Sequence, residues 1–309
     1  MSATVVPINR TRKPLRSWEL RREKTMAVAK AYRKIGKRDP ESARIGAAMQ
    51  ECGTFLEFAV TIDQVRRLAR ANFCDARLCP MCGWRRSKKL GHELSRVAKL
   101  YQERNPTLTP VMLTLTERNV SGSELGNTID QISKGFSKLR HRPEWKRTVK
   151  ASYRTTEVTR STNGRYHPHM HILMFVSEEV SESRWGELWG TARGLNYWPI
   201  IHKMPVEDLP HWAKYVTKEQ DYSEKEEEEE DGWETDEEKI EDLHKGLRRR
   251  RLNAWSRELS AIRRELSEDR EEFVITHHEI YRWRAFTSKR GAYWLAGSRM
   301  VSLGWRKAA

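Results

Sequence analysis

His167-Pro168-His169-Met170-His171-Ile172-Leu173 is the stretch whose reading decides the fold. Side chains alternate along a strand, so the three imidazoles share one face, and Pro168, Met170 and Ile172 share the other, apolar one. Upstream, Lys150 to Arg160 also reads as a strand, and Ser161-Thr162-Asn163-Gly164 between the two is a hairpin signal. With Asn163-Gly164 as a two-residue turn, Val158 lies opposite His169, and Glu157 faces Met170 on the apolar side. With Thr162-Asn163-Gly164 as a three-residue loop, Glu157 lies opposite His169 and Thr155 opposite His171, while Val158 joins Pro168 and Met170. Three-residue loops favour a closing Gly in the left-handed conformation. The second register sorts both strands consistently and is the one expected. Imidazoles on one strand face suit a divalent metal. Glu157 is then a candidate ligand beside His169 and His171, with His167 as its competitor. A polar, exposed strand is the plainer reading, but the apolar residues that follow argue for burial.

Working outward, Thr109 to Thr116 alternates and is β-rich, hence a strand. Residues 122–141 carry Leu125, Ile129, Ile132, Phe136 and Leu139 at helical spacing, and Ser121 with Glu124 fits a capping box. Ser181 to Trp189 reads as a short helix and Tyr197 to Met204 as a strand. Pro205 to Tyr222 reads as a helix that starts at Pro210. The order β-α-β-β-α-β-α predicts an α+β fold: a ferredoxin/RRM-like antiparallel sheet with helices on one face. In the last helix His211, Tyr215 and Lys218 stand at i, i+4 and i+7. A tyrosine near a cation and a metal-bound phosphate can act as a nucleophile, and Lys218 would favour its phenolate or balance charge on the phosphate. Taken alone, such a tyrosine is more often core or surface. Tyr222 is the runner-up.

All four cysteines fall in one 31-residue window: Cys52, Cys74, Cys79 and Cys82, spaced C-x21-C-x4-C-x2-C. Cys79-Pro80-Met81-Cys82 is a tight knuckle that can aim two thiolates at one ion, and Cys52-Gly53 resembles half of another. Four thiolates around Zn²⁺ leave no open position, which suits a structural role. The alternative is four ordinary buried thiols. Arg77, Arg85, Arg86, Lys88 and Lys89 surround the knuckle and are expected to contact phosphates. Arg85 to Leu100 reads as a helix with Leu90, Leu94 and Val97 on one stripe.

The 309 residues include 58 Lys and Arg against 43 Asp and Glu, a net charge of +15. Residues 219–242 alone carry −13, which leaves +28 on the rest. So dense a positive field points to a polyanion, most simply nucleic acid, although a solubilising surface is the bland reading. The acidic block reads as a solvated linker or flexible arm. A sharper expectation is that it mimics DNA and competes for the basic groove. Twelve Trp, nine Tyr and seven Phe argue against a disordered chain. No stretch approaches the roughly 20 apolar residues of a membrane span. The N-terminus lacks a secretory apolar region, and four cysteines are too few for a disulfide scaffold. No membrane partner and a cytoplasmic location are therefore expected.

Together these elements resemble a known family. The ordered set is Cys52-Gly53, Ala71-Asn72-Phe73-Cys74, Arg77-Leu78-Cys79-Pro80-Met81-Cys82 with Trp84-Arg85-Arg86, Leu113-Thr114-Leu115-Thr116, Glu157-Val158-Thr159, His167-Pro168-His169-Met170-His171 and Lys214-Tyr215. It is similar to the replication initiator (Rep) proteins of small rolling-circle plasmids, a branch of the HUH endonucleases. The resemblance covers roughly residues 50–222. It implies that Tyr215 attacks a phosphodiester of single-stranded or hairpin origin DNA, giving a 5′-phosphotyrosine and a 3′-OH primer. It further implies Mg²⁺ or Mn²⁺ on His169 and His171, and a host helicase and DNA polymerase as partners. Members can carry a Glu four residues before the nucleophile. Here that position is His211, with Glu207 one turn earlier, and a neutral His can serve as a base. A relaxase or single-strand transposase would share the chemistry, and a non-catalytic zinc protein that binds nucleic acid is the third reading. The expected organisation is a basic N-terminal arm and helix (1–50), a zinc module and helix (51–105), the nicking domain (106–222), the acidic linker or flexible arm (223–242) and a basic helical C-terminal region (243–309). Within that last region, 243–272 reads as one charged helix.

Overall fold

The computed structural model describes residues 15–61, 66–217, 224–225, 233–268, 277–285 and 293–302. In chain order the elements are α1 (Arg16–Ile35), α2 (Pro40–Glu51), β1 (Phe55–Thr61), β2 (Arg66–Ala71), α3 (Pro80–Arg104), β3 (Thr109–Thr116), α4 (Gly122–Arg140), α5 (Pro143–Thr148), β4 (Val149–Arg160) and β5 (Tyr166–Val176). There follow α6 (Glu182–Arg193), β6 (Ile201–Pro205), α7 (Leu209–Val216), β7 (Glu224–Lys225), β8 (Trp233–Glu234), α8 (Glu237–Leu247), β9 (Asn253–Trp255), α9 (Arg257–Glu268), β10 (His277–Ala285) and β11 (Tyr293–Ser302). The fold is α+β with antiparallel sheets. Contacts divide it into two compact units, one from residues 1–85, 219–240 and 271–309, the other from 86–218 and 241–270. No helix among the described residues is long and apolar enough to cross a membrane.

The second unit is built on a five-stranded sheet in the order β6-β3-β5-β4-β9. The hairpin takes the three-residue loop: Ser161 N–H donates to the Arg165 carbonyl at 2.8 Å, and Gly164 sits at φ +79°. Glu157 therefore pairs with His169, Thr155 with His171 and Val158 with Pro168. One sheet face buries Leu113, Leu115, Met170, Ile172 and Met174 against Ile132 and Phe136 of α4 and Trp185 and Trp189 of α6. Trp185 and Trp189 are almost wholly buried, and each large side chain contributes about 2–3 kcal/mol by leaving water. At the head of α4 the Glu124 carboxylate accepts from Ser121 N–H at 3.0 Å and from Ser121 Oγ at 2.6 Å.

Helices cover both faces, not one. The second face buries Met112, Tyr153, Leu173 and Phe175 under Leu94, Val97 and Tyr101 of α3, Trp212 and Val216 of α7, and Leu259 and Ile262 of α9. The physical reason lies in β5, which is apolar on both alternations from Ile172 to Val176 and is buried throughout that run. A strand of that composition needs cover on either side.

The C-terminal region also departs from expectation. Instead of one helix over 243–272, α8 and α9 are separated by a turn, with Arg249 at φ +56°, and by β9. Asn253 and Trp255 of β9 pair with Thr155 and Tyr153 at the edge of β4. Helix α8 starts at Glu237, inside the segment 223–242, and Leu243 and Leu247 bury one stripe of it. Beyond α9 the described residues form strands, β10 and β11, where a helical region is expected. Their period is two, with Trp283 opposite Leu56 and Leu295, and Arg282 on the other alternation. These strands complete the first unit's sheet, β11-β10-β1-β2. Its apolar face holds Leu56, Phe58, Trp283 and Tyr293 together with Leu15 and Trp18.

Candidate functional site

The site grows from the face of β5 that carries the odd-numbered residues. Glu157 Oε2 lies 3.4 Å from His171 Nε2 and 3.6 Å from His169 Nε2. These separations exceed a hydrogen bond. They approach the roughly 3.0–3.4 Å between neighbouring ligands about 2.1 Å from one ion. One ligand atom from each residue lies within 4.8 Å of the others. The remaining ring nitrogens are engaged. His169 Nδ1 faces the His167 carbonyl at 3.1 Å, and His171 Nδ1 faces Thr114 Oγ1 at 3.0 Å. A Nδ1–H donated to that carbonyl leaves the His169 Nε2 lone pair pointing at the cluster, the arrangement that suits metal ligation. The two imidazoles, His169 first, hold the Glu157 carboxyl down to about 2.

His167 stands apart from this triad. Its Nδ1 lies 2.9 Å from Asn119 Oδ1, and burial, with His169 second, lowers its pKa. The sequence gives Thr114 no role beyond its place in Leu113-Thr114-Leu115-Thr116, and does not mark Asn119. Thr114 becomes visible only through the β3–β5 register, where it pairs with His171. His202 of β6, opposite Thr114, is a further exposed histidine on this face.

Helix α7 brings Tyr215 to the same face. The Asp208 carboxylate accepts from His211 N–H at 2.9 Å, and Pro210 lies in the first turn. Trp212, Ala213 and Val216 bury the opposite stripe, so Tyr215 is 56% exposed. Its ring centroid lies 6.0 Å from that of His171, edge to face. Gly91 of α3 permits the close approach of α7, since a Cβ there would stand 2.6 Å from Thr217 Oγ1. His211 is exposed one turn before Tyr215. Lys218 and Tyr222 lie outside the described residues.

In the first unit the four cysteines converge. Sγ separations are 3.6 Å for Cys52–Cys82 and Cys52–Cys79, and 3.7 Å for Cys74–Cys82. These are far beyond a disulfide bond. They match the edge of about 3.8 Å expected for a tetrahedron with bonds of about 2.3 Å. Cys79 and Cys82 are held below the usual thiol range, first by hydrogen bonds with Cys52. They also sit at the start of α3, whose dipole favours thiolates. Gly53 turns at φ +71°, and its carbonyl accepts from Tyr293 Oη at 2.6 Å. Arg77, Arg86, Lys88 and Lys89 are exposed, whereas Arg85 is half-buried with its guanidinium 3.5 Å from the Phe73 ring centroid.

The profile of a replication-protein family (Rep_1) matches residues 65–294. A Protein rep of Streptococcus pneumoniae serotype 2 (strain D39 / NCTC 7466) is 32% identical over 204 residues, covering 63% of this chain and 62% of that protein. One from Lentilactobacillus hilgardii is 33% identical over 162 residues, 50% of this chain and 52% of its own. One from Staphylococcus aureus is 30% identical over 190 residues, 56% of this chain and 82% of its own. The chain thus spans only 62% and 52% of the length of the first two relatives. No solved structure matches it significantly. With its triad, its tyrosine and its four cysteines inside or beside the matched span, the chain belongs to the Rep family of replication proteins.

Proposed function

We propose that this chain is a plasmid replication initiator of the HUH type, which nicks and rejoins single-stranded DNA at the origin and starts rolling-circle synthesis. The observation that carries the reading is the 6.0 Å approach of the Tyr215 ring to His171, a member of the Glu157–His169–His171 triad. Tyr215 Oη attacks the scissile phosphorus. The phenolic proton passes to a base, the P–O3′ bond breaks, and the 3′ oxygen leaves as a hydroxyl that serves as primer. The 5′ phosphate stays on Tyr215 until a second attack releases it. Mg²⁺ or Mn²⁺ held by Glu157, His169 and His171 would polarise the phosphate and orient it. His211, exposed one turn before Tyr215, is the residue assigned to proton transfer in the second step, and Lys218 is assigned to charge balance.

The four cysteines are assigned to a structural Zn²⁺. Arg77, Arg86, Lys88 and Lys89 are assigned to phosphate contacts, with Arg85 supporting them from its place over Phe73. Single-stranded or hairpin origin DNA is the substrate, a host helicase and polymerase extend the primer, and the location is cytoplasmic. Incubation with supercoiled origin plasmid and Mn²⁺ tests the reading. The expected result is nicked DNA carrying covalent protein, lost in Tyr215→Phe. Binding without any adduct would favour a non-catalytic nucleic-acid-binding protein instead.

A further inference from the structure

The sheet of the first unit has a second face that the proposed chemistry does not use. Alternation and register fix its membership. Glu57 of β1 stands opposite Arg70 of β2 and Arg282 of β10. Phe55 stands opposite Arg284, Ala59 opposite Arg67 and Ile280, and Ile280 in turn opposite Arg299 of β11. Five arginines therefore hold register positions around one acid. That acid is 2% exposed, and its Oε2 accepts from Arg282 Nε at 2.8 Å. A carboxylate buried so deeply is costly unless paired. Here it fixes the Arg282 guanidinium on a central strand, and Arg70 and Arg284 leave positive charge in excess of that one acid. Arg70 and Arg284 are exposed, and Arg284 lies over Phe55 with its guanidinium carbon 6.0 Å from the ring centroid.

A surface meant only for solubility interleaves both signs, and this one does not. Its arginines are also spread across the sheet. The exposed Arg70 of β2 and Arg284 of β10 stand two strand spacings and two residues apart, about 12 Å. That is close to the roughly 12 Å major groove, which is flanked by two phosphate rows. A single strand offers one such row. We propose that this face is a docking surface for double-stranded DNA. The proposal rests on the reading of the chain as a DNA-processing initiator and adds to it a means of holding the duplex.

The test is fluorescence anisotropy of the full chain with a double-stranded origin oligonucleotide, between about 50 and 200 mM salt. The variants are Arg70→Ala/Arg284→Ala and Arg70→Lys/Arg284→Lys. The alanine pair should weaken duplex binding at least tenfold and lower the slope of log K against log salt by about 1.8, or 0.9 per lost phosphate contact. The lysine pair, which keeps both charges, should restore most of both. An unchanged affinity and slope for the alanine pair overturns the proposal. So does an equal fractional loss on a single-stranded oligonucleotide, which would make the face a single-strand or unselective polyanion surface. If the lysine pair binds no better than the alanine pair, the loss is structural and the charge argument fails. Cleavage of a single-stranded origin oligonucleotide by the unaltered chain tests the nicking reading separately, so either reading can fail while the other stands.

Discussion

Replacing Glu157 by Gln removes the only anionic member of the triad and keeps its shape. The carboxylate oxygen lies 3.4 and 3.6 Å from two imidazole nitrogens, so a shared cation would sit within bonding distance of it. A divalent ion about 2.1 Å from one negative charge gains about 4 kcal/mol even at the dielectric constant of water. The amide oxygen of Gln and the released desolvation offset part of this. The expected loss is about 2.7 kcal/mol, a 100-fold weaker Kd. His167→Ala is the matched control. Its Nδ1 is turned to Asn119 and its ring stands outside the cluster, so the expected effect is under about threefold. Titration calorimetry of Mn²⁺ into the full chain at pH 8, above the ordinary imidazole range, measures both. A His167→Ala loss as large as that of Glu157→Gln would refute the assignment of Glu157 as third ligand.

Thr114→Val removes the hydroxyl that meets His171 Nδ1. Mn²⁺ affinity should fall roughly 10- to 100-fold, as for other groups that orient a ligand, and Thr114→Ser should recover it. Cys79→Ser removes one vertex of the thiol tetrahedron. Bound zinc after native purification, read by atomic emission, should fall from about one ion per chain to near none, with a lower Tm; retained zinc and Tm would contradict the assignment. Asp130 is held below the ordinary carboxylate range first by its hydrogen bonds from Arg250, at 2.7 and 2.8 Å. A depressed folded pKa contributes stability that is present above the unfolded value and lost as pH falls through the folded one. Arg250→Gln should therefore flatten the acid limb of the stability curve below about pH 4. The change should be small, because the pair is partly exposed, and an unaltered limb in acid unfolding would show that the pair contributes nothing.

What the sequence made legible was local. Gly164 and the alternation of His169, Met170 and His171 settle the hairpin register, because a slip of one residue would turn Glu157 into the apolar core. Ser121, Glu124 and the Leu125–Leu139 stripe specify α4 on their own. The cysteines cluster within 31 residues, so their convergence needed no fold. What stayed hidden was non-local. The pairing of Leu56 with Trp283 spans more than 200 residues, and no local signal announces it. The many charges between residues 243 and 272 suggest one charged helix. Nothing in Asn253-Ala254-Trp255 alone marks a strand, and only the free edge of β4 makes it one. The role of Thr114 is hidden for the same reason, since its partner His171 lies on another strand 57 residues away. The second helical layer was foreshadowed by the unbroken apolar run from Ile172 to Val176, which one layer cannot cover.

The nucleophile is the claim on which the account depends. Peptide mass spectrometry of the covalent adduct formed on an origin oligonucleotide with Mn²⁺ tests it most directly. The prediction is a single nucleotide-bearing peptide with the added mass on Tyr215 and no adduct from Tyr215→Phe. Added mass on Tyr222, or on any residue away from the Glu157–His169–His171 cluster, would contradict it.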